Sequence, residues 1–159
     1  MPGESAKVVP LHKKNTNFKI DIAGGLSPVR VDRSQIKKIL RTLIDHGFQS
    51  MHSGGTLKLI AENFAISEKT RGIPLPPGKY VKIAIIDQGN GVPEELLDKI
   101  FDPYFSANQN KGGLALASAY SIVKHHGGAI TVSSRPGKGT RLNVFLPVAK
   151  KENRLAPVW

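Results

Sequence analysis

Residues 80–93 read YVKIAIIDQGNGVP, and this stretch decides the fold. Apolar side chains occupy one face of residues 80–87 and much of the other, which is typical of a strand in the centre of a sheet. Asp87 ends this predicted strand, and Gly89 and Gly91 follow it. A carboxylate at a strand end can accept a hydrogen bond, and glycines let a backbone approach a ligand closely. The pattern indicates a candidate binding site, although the same spacing also occurs in ordinary turns.

Two strands and a long helix are predicted upstream of this segment. Residues 16–22 and 56–66 alternate as strands, and residues 33–51 carry an apolar stripe at helical spacing. Asp32 lies where the N-cap of that helix belongs, and Gln35 follows three residues later. This spacing predicts a capping box, in which the two residues satisfy free backbone N–H groups of the first turn.

Two helices and a hairpin are predicted downstream. Pro93 introduces a short helix over residues 94–101, and a second helix over residues 114–126 ends at two glycines. The last two strands, 129–134 and 140–146, are joined by a glycine-rich turn. The complete order predicts an α/β two-layer sandwich, in which a mixed sheet has its helices packed on one face.

The composition fits one globular domain. The chain has 159 residues and no cysteine, which excludes disulfides, thiolate zinc sites and cysteine nucleophiles. Its apolar runs are too short to cross a bilayer, and we expect a cytoplasmic domain that makes no membrane contact. We expect residues 1–14 to be a lead-in or linker, residues 15–149 to be the domain, and residues 150–159 to be a polar tail.

The net charge of +11 favours acidic partners, namely nucleotides, nucleic acid, anionic membrane or an acidic protein surface. No stretch alternates aromatic and basic residues, as a surface for single-stranded nucleic acid would. We therefore do not expect a nucleic-acid partner, and a solvated basic face is the simplest interpretation of the charge.

Two glycine-rich segments add to the functional signal. In residues 110–114, Gly112 and Gly113 lead into the second long helix, where free N–H groups and the helix dipole favour an anion. A plain loop with an N-cap is the alternative interpretation of that segment. Residues 137–140 read GKGT, which by itself is merely a hairpin turn.

Taken in order, these motifs resemble those of the GHKL superfamily of ATPases, and within it the ATP-binding catalytic domains of bacterial sensor histidine kinases. The resemblance spans roughly residues 18–147. The matching segments are the N box LRTLIDHGFQSM (40–51), the G1 box DQGNGV (87–92), the F box IFDPYF (100–105), the G2 box KGGLAL (111–116), IVKHHGG (122–128) and GKGT (137–140).

The resemblance implies a role for each matched position. Asp87 would accept a hydrogen bond from the exocyclic amine of adenine, Thr140 would lie beside the base, and residues 101–113 would form a mobile lid over the triphosphate. Thr42 and His46 would occupy the catalytic positions of the N box. The ATP-binding residues implied are Gln49, Asp87, Gly89, Gly91, Val92, Phe101, Asn108, Lys111, Gly112, Gly113, Leu114, Ala115 and Thr140.

The sequence departs from the family pattern where the family meets phosphate and magnesium. Thr42 and His46 replace the two N-box asparagines, the second of which supplies an oxygen to Mg²⁺. His46 is a poor ligand at that position, because Mg²⁺ prefers oxygen and imidazole suits zinc, copper or nickel. Lys111 and Ala115 replace two glycines of the G2 box. Three interpretations follow: a tolerated histidine in a working site, a site with weakened Mg-ATP affinity, or a site for another metal or ligand.

The resemblance implies an ATP-dependent protein histidine kinase of two-component signal transduction. Its expected cofactors are ATP and Mg²⁺, with Mg²⁺ in doubt because of His46. Its expected partners are the dimerisation domain that carries the phosphoacceptor histidine and the receiver domain of a response regulator. The alternative is a degenerate GHKL module that binds Mg-ATP weakly or not at all and signals through protein interactions. A basic nucleic-acid-associated protein is a second alternative, which only the net charge supports.

Overall fold

The computed structural model describes residues 7–10, 15–102 and 113–149. Six strands form one mixed sheet in the order β1–β2–β3–β4–β6–β5. The strands β2 and β3 pair in parallel, and the other neighbours pair antiparallel. Their bounds are β1 Lys7–Pro10, β2 Thr16–Ile22, β3 Gly55–Ile66, β4 Gly78–Ile86, β5 Ala129–Ser134 and β6 Thr140–Pro147. The predicted central strand is confirmed, because β4 lies between β3 and β6.

Strand β1 lies inside the stretch that the sequence predicts as a lead-in. Its four residues pair with β2, from Lys7 opposite Ile20 to Pro10 opposite Asn17. So short a segment has no periodicity of its own to detect, and it is its pairing with the edge of β2 that defines it as a strand.

Two long helices cover one face of the sheet. Helix α1 (Arg33–Ser50) packs on β3 and β4, helix α2 (Gly113–His125) packs on β5 and β6, and the helices pack on each other. The predicted two-layer sandwich is confirmed. None of the helices in the described residues is both long and apolar enough to cross a membrane.

The N-terminus of α1 is capped as predicted, but by a different second partner. The Asp32 carboxylate accepts a hydrogen bond from the Gln35 backbone N–H at 3.1 Å. The Asp32 backbone N–H donates to Nε2 of His126, just beyond the end of α2, at 3.2 Å. The reciprocal half of the capping box is therefore supplied by a histidine from the other helix and not by Gln35.

The prediction of a helix over residues 94–101 is wrong. The structure has one 3₁₀ turn, Glu94–Leu96, followed by further turns. Their bonds join residues three apart, as from the Leu96 N–H to the Pro93 carbonyl and from the Asp102 N–H to the Lys99 carbonyl. In this short segment Ile100 alone is buried, so too little apolar surface is packed to stabilise an α-helix.

The main core lies between the helices and the sheet. Its members include inward residues of the strands (Leu57, Leu59, Ala61, Val81, Ile83, Ile85, Ile130, Leu142, Val144 and Leu146) and of the helices (Ile36, Ile39, Leu43, Leu116, Ala119 and Val123). A smaller cluster around Tyr80 and Phe145 lies on the other face of the sheet. Because β4 ends at Ile86 opposite Arg141, Asp87 comes out beside Thr140 at the start of β6.

Candidate functional site

Asp87 is held by backbone groups from two directions. It is 4% exposed, and its Oδ1 accepts hydrogen bonds from the Gly89 N–H at 2.9 Å and the Thr140 N–H at 3.1 Å. The Asp87 N–H donates to the Thr140 carbonyl at 2.9 Å. No described residue donates to Oδ2. The carboxylate is thus fixed through one oxygen, and its other oxygen can accept a further hydrogen bond.

The hydroxyl of Ser134 ties the loop after Asp87 to the final hairpin. Its Oγ accepts from the Val92 N–H at 2.7 Å, donates to the Gly139 carbonyl at 2.9 Å and lies 2.9 Å from the Thr140 Oγ1. A serine hydroxyl has a single proton to donate. Because Ser134 donates its proton to the Gly139 carbonyl, the Thr140 hydroxyl must donate to Ser134. The Thr140 Oγ1 can then still accept a hydrogen bond from another group.

Gly139 allows the hairpin to reach Asp87. Its φ is +86°, and a Cβ at this position would overlap the Asp87 carbonyl oxygen. Glycine is the residue that takes up this conformation without strain. Gly91 approaches the Arg135 carbonyl with the same closeness, and Gly89 lies against the Ser50 backbone. These glycines therefore let the loop of the G1 box (87–92), the G1 loop, pack between the end of α1 and the hairpin.

The last turns of α1 lie against Asp87. A Cβ on Gly47 would be 3.7 Å from the Asp87 Cβ. Burial lowers the pKa of His46, and the nearby Asp87 carboxylate opposes that shift. Among the described residues, His46 Nδ1 is the buried side-chain atom that has no hydrogen-bond partner. The structure thus brings together the Asp87 and His46 that the sequence predicts to share a site.

Thr42 lies one turn earlier on α1, at its contact with α2. It lines a cavity of about 30 Å³ together with Ser118, Ala119 and Ile122. Phe101 is half-buried, and its ring stacks on Tyr120 of α2 with ring centroids 5.1 Å apart. Both residues therefore lie against α2.

The other predicted site residues differ in how far the structure places them. Gln49 is exposed on α1. Gly113, Leu114 and Ala115 form the first turn of α2. Asn108, Lys111 and Gly112 lie outside the described residues. Sequence reasoning missed Ser134 and the capping role of His126, because Ser134 binds Val92 at a separation of 42 positions and His126 binds Asp32 at a separation of 94.

The polar groups of this site suit a hydrogen-bond donor better than a magnesium ion. Asp87 Oδ2 and Thr140 Oγ1 are acceptors that suit an amino group. His46 offers a nitrogen where Mg²⁺ would prefer oxygen. The described residues contain no group of three or more His, Cys, Asp or Glu side chains arranged to hold a metal.

A cavity of about 360 Å³ also touches Asp87 and Thr140, but from the far side of the sheet. Its lining includes Ile86, Ser133 and Arg141, and side chains alternate along strands. These three therefore project away from the helices, because their neighbours in sequence face the core. The cavity therefore lies on the face of the sheet opposite α1.

Comparisons with known proteins agree with the fold and the motifs. Residues 31–150 match the model of the histidine kinase-, DNA gyrase B- and HSP90-like ATPase family. The sensor kinase CckA of Brucella abortus (strain 2308) is 36% identical over 151 residues, which cover 91% of this chain and 16% of that protein. The sensor histidine kinase ZraS of Escherichia coli (strain K12) is 33% identical over 123 residues, covering 77% of this chain and 24% of that protein.

A solved structure shows the same architecture. The catalytic domain of the histidine kinase ThkA matches with a TM-score of 0.56 and 26% identity, covering 76% of this chain and 69% of that one. The chain spans under a quarter of the length of the two sequence relatives, 16% and 24%.

Proposed function

The chain belongs to the histidine kinase-, DNA gyrase B- and HSP90-like ATPase family, and from that premise we propose that it is the ATP-binding catalytic domain of a sensor histidine kinase. It is homologous to sensor kinases over most of its own length. In this proposal residues 15–149 form the catalytic domain, with β1 extending its sheet, and residues 150–159 form a tail. The domain works in the cytoplasm, where ATP is available.

One observation carries the nucleotide assignment: Asp87 is buried and fixed through Oδ1, while Oδ2 has no partner among the described residues. The free oxygen can accept a hydrogen bond, and an exocyclic amine would supply the donor. Thr140 presents a second acceptor beside it. Gly89 and Gly91 form the wall along which the base would lie.

In this proposal the remaining predicted site residues surround the position of the adenine beside Asp87. Thr42, His46 and Gln49 approach from α1, and Val92 and Phe101 approach from the G1 loop and the turns after it. Asn108, Lys111 and Gly112, outside the described residues, would contact the phosphates with the first turn of α2. Catalysis of phosphoryl transfer depends mainly on positioning and charge neutralisation. The chain's own part is therefore to orient the bound nucleotide toward a phosphoacceptor histidine.

The phosphoacceptor histidine is proposed to lie on a dimerisation domain of the parent kinase, and the receiver domain of a response regulator is proposed as the next partner. The homology favours this function over a degenerate interaction module. Mg²⁺ is proposed to act mainly through the phosphates of the nucleotide, since His46 offers it a poor ligand. Loss of that ligand should reduce turnover more than it reduces binding of adenine.

Isothermal titration calorimetry tests the proposal. ATP and ADP are titrated into the chain with and without Mg²⁺, and the same titrations are repeated with Asp87→Asn. We expect the unchanged protein to bind nucleotide and the substitution to weaken that binding by about 100-fold. The asparagine amide has the size of the carboxylate, but it presents either an N–H donor or a weaker oxygen acceptor to the exocyclic amine of adenine. Equal affinity in the variant would remove Asp87 from adenine recognition. No binding of either nucleotide to the unchanged protein would refute the proposed function.

A further inference from the structure

The sheet face that α1 and α2 leave uncovered carries a cationic row. Strand pairing places Lys19, Lys58, Ile86, Arg141 and Ser133 side by side on five adjacent strands. All five project to the uncovered face, because their neighbours on each strand face the core. The row ends at the cavity of about 360 Å³, where the hairpin adds Arg135 and Lys138.

Arg141 is oriented within this row by neighbouring side chains. Its Nε donates to Asn143 Oδ1 at 3.2 Å, and the Asn143 amide donates in turn to Thr131 Oγ1 at 3.2 Å. Among the described residues nothing pairs with the terminal NH₂ groups of Arg141. A guanidinium held through Nε presents its remaining N–H groups as a fork, which matches a carboxylate in bidentate geometry.

The other cations of the row also lack an ion-pair partner in the described part of the chain. For Lys19, Lys58, Arg135 and Lys138, no ion pair with a described residue is formed. Lys19 and Lys58 are direct cross-strand neighbours, and like charges in that relation destabilise a sheet. An anion that lies across the two lysines would relieve this repulsion. Acidic side chains on this face, Asp21 and Glu62, lie farther along their strands from the hairpin.

The shape and chemistry of the row favour a peptide. Lys19 and Arg141 are three strand spacings apart, about 14 Å, which an extended segment of four or five residues spans. Ile86 is half-buried and separates Lys58 from Arg141, so an apolar position lies between cationic ones. The row contains no aromatic side chain on which a nucleic-acid base could stack.

We propose that this row and the cavity beneath the hairpin form a docking site for an acidic segment of a partner protein, with Arg141 binding a carboxylate. The site lies on the opposite face of the sheet from His46 and does not depend on the proposed nucleotide function. It accounts for part of the basic charge of the chain as a binding surface.

Fluorescence anisotropy with a labelled peptide of alternating glutamate and leucine tests the proposal on the full chain. The test variant is Lys138→Gln with Arg141→Gln. The matched control is Lys37→Gln with Arg41→Gln, which removes the same charge from the exposed side of α1. We expect the test variant to bind about 10-fold more weakly and the control to change affinity by about twofold or less, since scattered surface charges contribute little. Equal loss in both variants would mean non-specific attraction and would overturn the proposal.

Two further measurements separate the oriented arginine from charge alone. Asn143→Leu leaves the net charge unchanged but frees the guanidinium, and we expect peptide affinity to fall several-fold while circular dichroism shows an intact fold. Unchanged affinity in that folded variant would refute the role of Arg141. A single-stranded oligonucleotide or an anionic phosphatidylserine vesicle that binds more tightly than the peptide, with the same sensitivity to Arg141→Gln, would also overturn the assignment of a protein partner.

Discussion

Replacing His46 by leucine is expected to stabilise the nucleotide-free domain. His46 Nδ1 is buried without a partner among the described residues. Leaving a buried polar group unsatisfied costs about 1–3 kcal/mol, and leucine occupies a similar volume without a polar atom. We therefore expect the free energy of unfolding at neutral pH to rise by about 1 kcal/mol or more, within the range that this desolvation penalty sets.

The advantage of leucine should grow as the pH falls. Burial lowers the pKa of His46 in the folded chain, so the unfolded chain takes up a proton at a pH where the folded chain does not. Stability conferred by the neutral imidazole is complete above the usual histidine pKa and is lost as the pH falls below it toward the lowered folded value. The slope contributed by one such proton is at most about 1.4 kcal/mol per pH unit. The leucine variant lacks this slope.

Urea unfolding at several pH values between 5 and 8, followed by circular dichroism, measures both effects. His52→Leu is the matched control, because His52 is exposed in the turn after α1. We expect the change in slope to be specific to position 46. A leucine variant at position 46 that is less stable at every pH, or that keeps the original slope, would refute the reasoning about the buried imidazole.

Three other substitutions test further contacts. His126→Ala removes the acceptor for the Asp32 N–H, so it should lower the free energy of unfolding by about 0.5–1.5 kcal/mol in thermal melts. His126→Gln keeps a side-chain acceptor and should recover part of that loss. Gly139→Ala should be far more destabilising than Gly137→Ala in urea unfolding, because both glycines have positive φ but only the Cβ at 139 overlaps the Asp87 carbonyl; equal losses would contradict this packing. His46→Asn should raise the affinity for Mg-ATP in calorimetry, and an unchanged affinity would mean that His46 does not limit binding.

Local patterns in the sequence were sufficient to predict most of the fold. The apolar stripe of α1 and the alternation in β4 and β6 reflect burial in one core, so residue spacing alone reveals them. The segment 94–101 misled the prediction, because its proline and its apolar residues fit a helix start while its environment buries only Ile100. Strand β1 escaped detection for the opposite reason, since it depends on its partner β2 and not on a pattern of its own.

The candidate site was predictable as a set of positions but not as a network. The motifs identify Asp87 and Thr140, yet nothing in their spacing shows that Ser134 joins the G1 loop to the hairpin. The bond between Asp32 and His126 likewise joins residues separated by 94 positions. Such contacts depend on how the two helices and the hairpin pack, which residue spacing does not specify.

The core-facing stripe of helix α1 fixes the position of the helix independently of positions 42 and 46. Its core stripe, which includes Ile36, Ile39 and Leu43, is buried against the sheet and fixes the position of the helix. Thr42 and His46 lie on the neighbouring stripe, so changes there leave that packing unaffected. Because the buried stripe fixes the helix, the backbone at positions 42 and 46 stays in the same place when their side chains are changed. Affinity for a metal can therefore change while the fold and the approach to Asp87 stay the same.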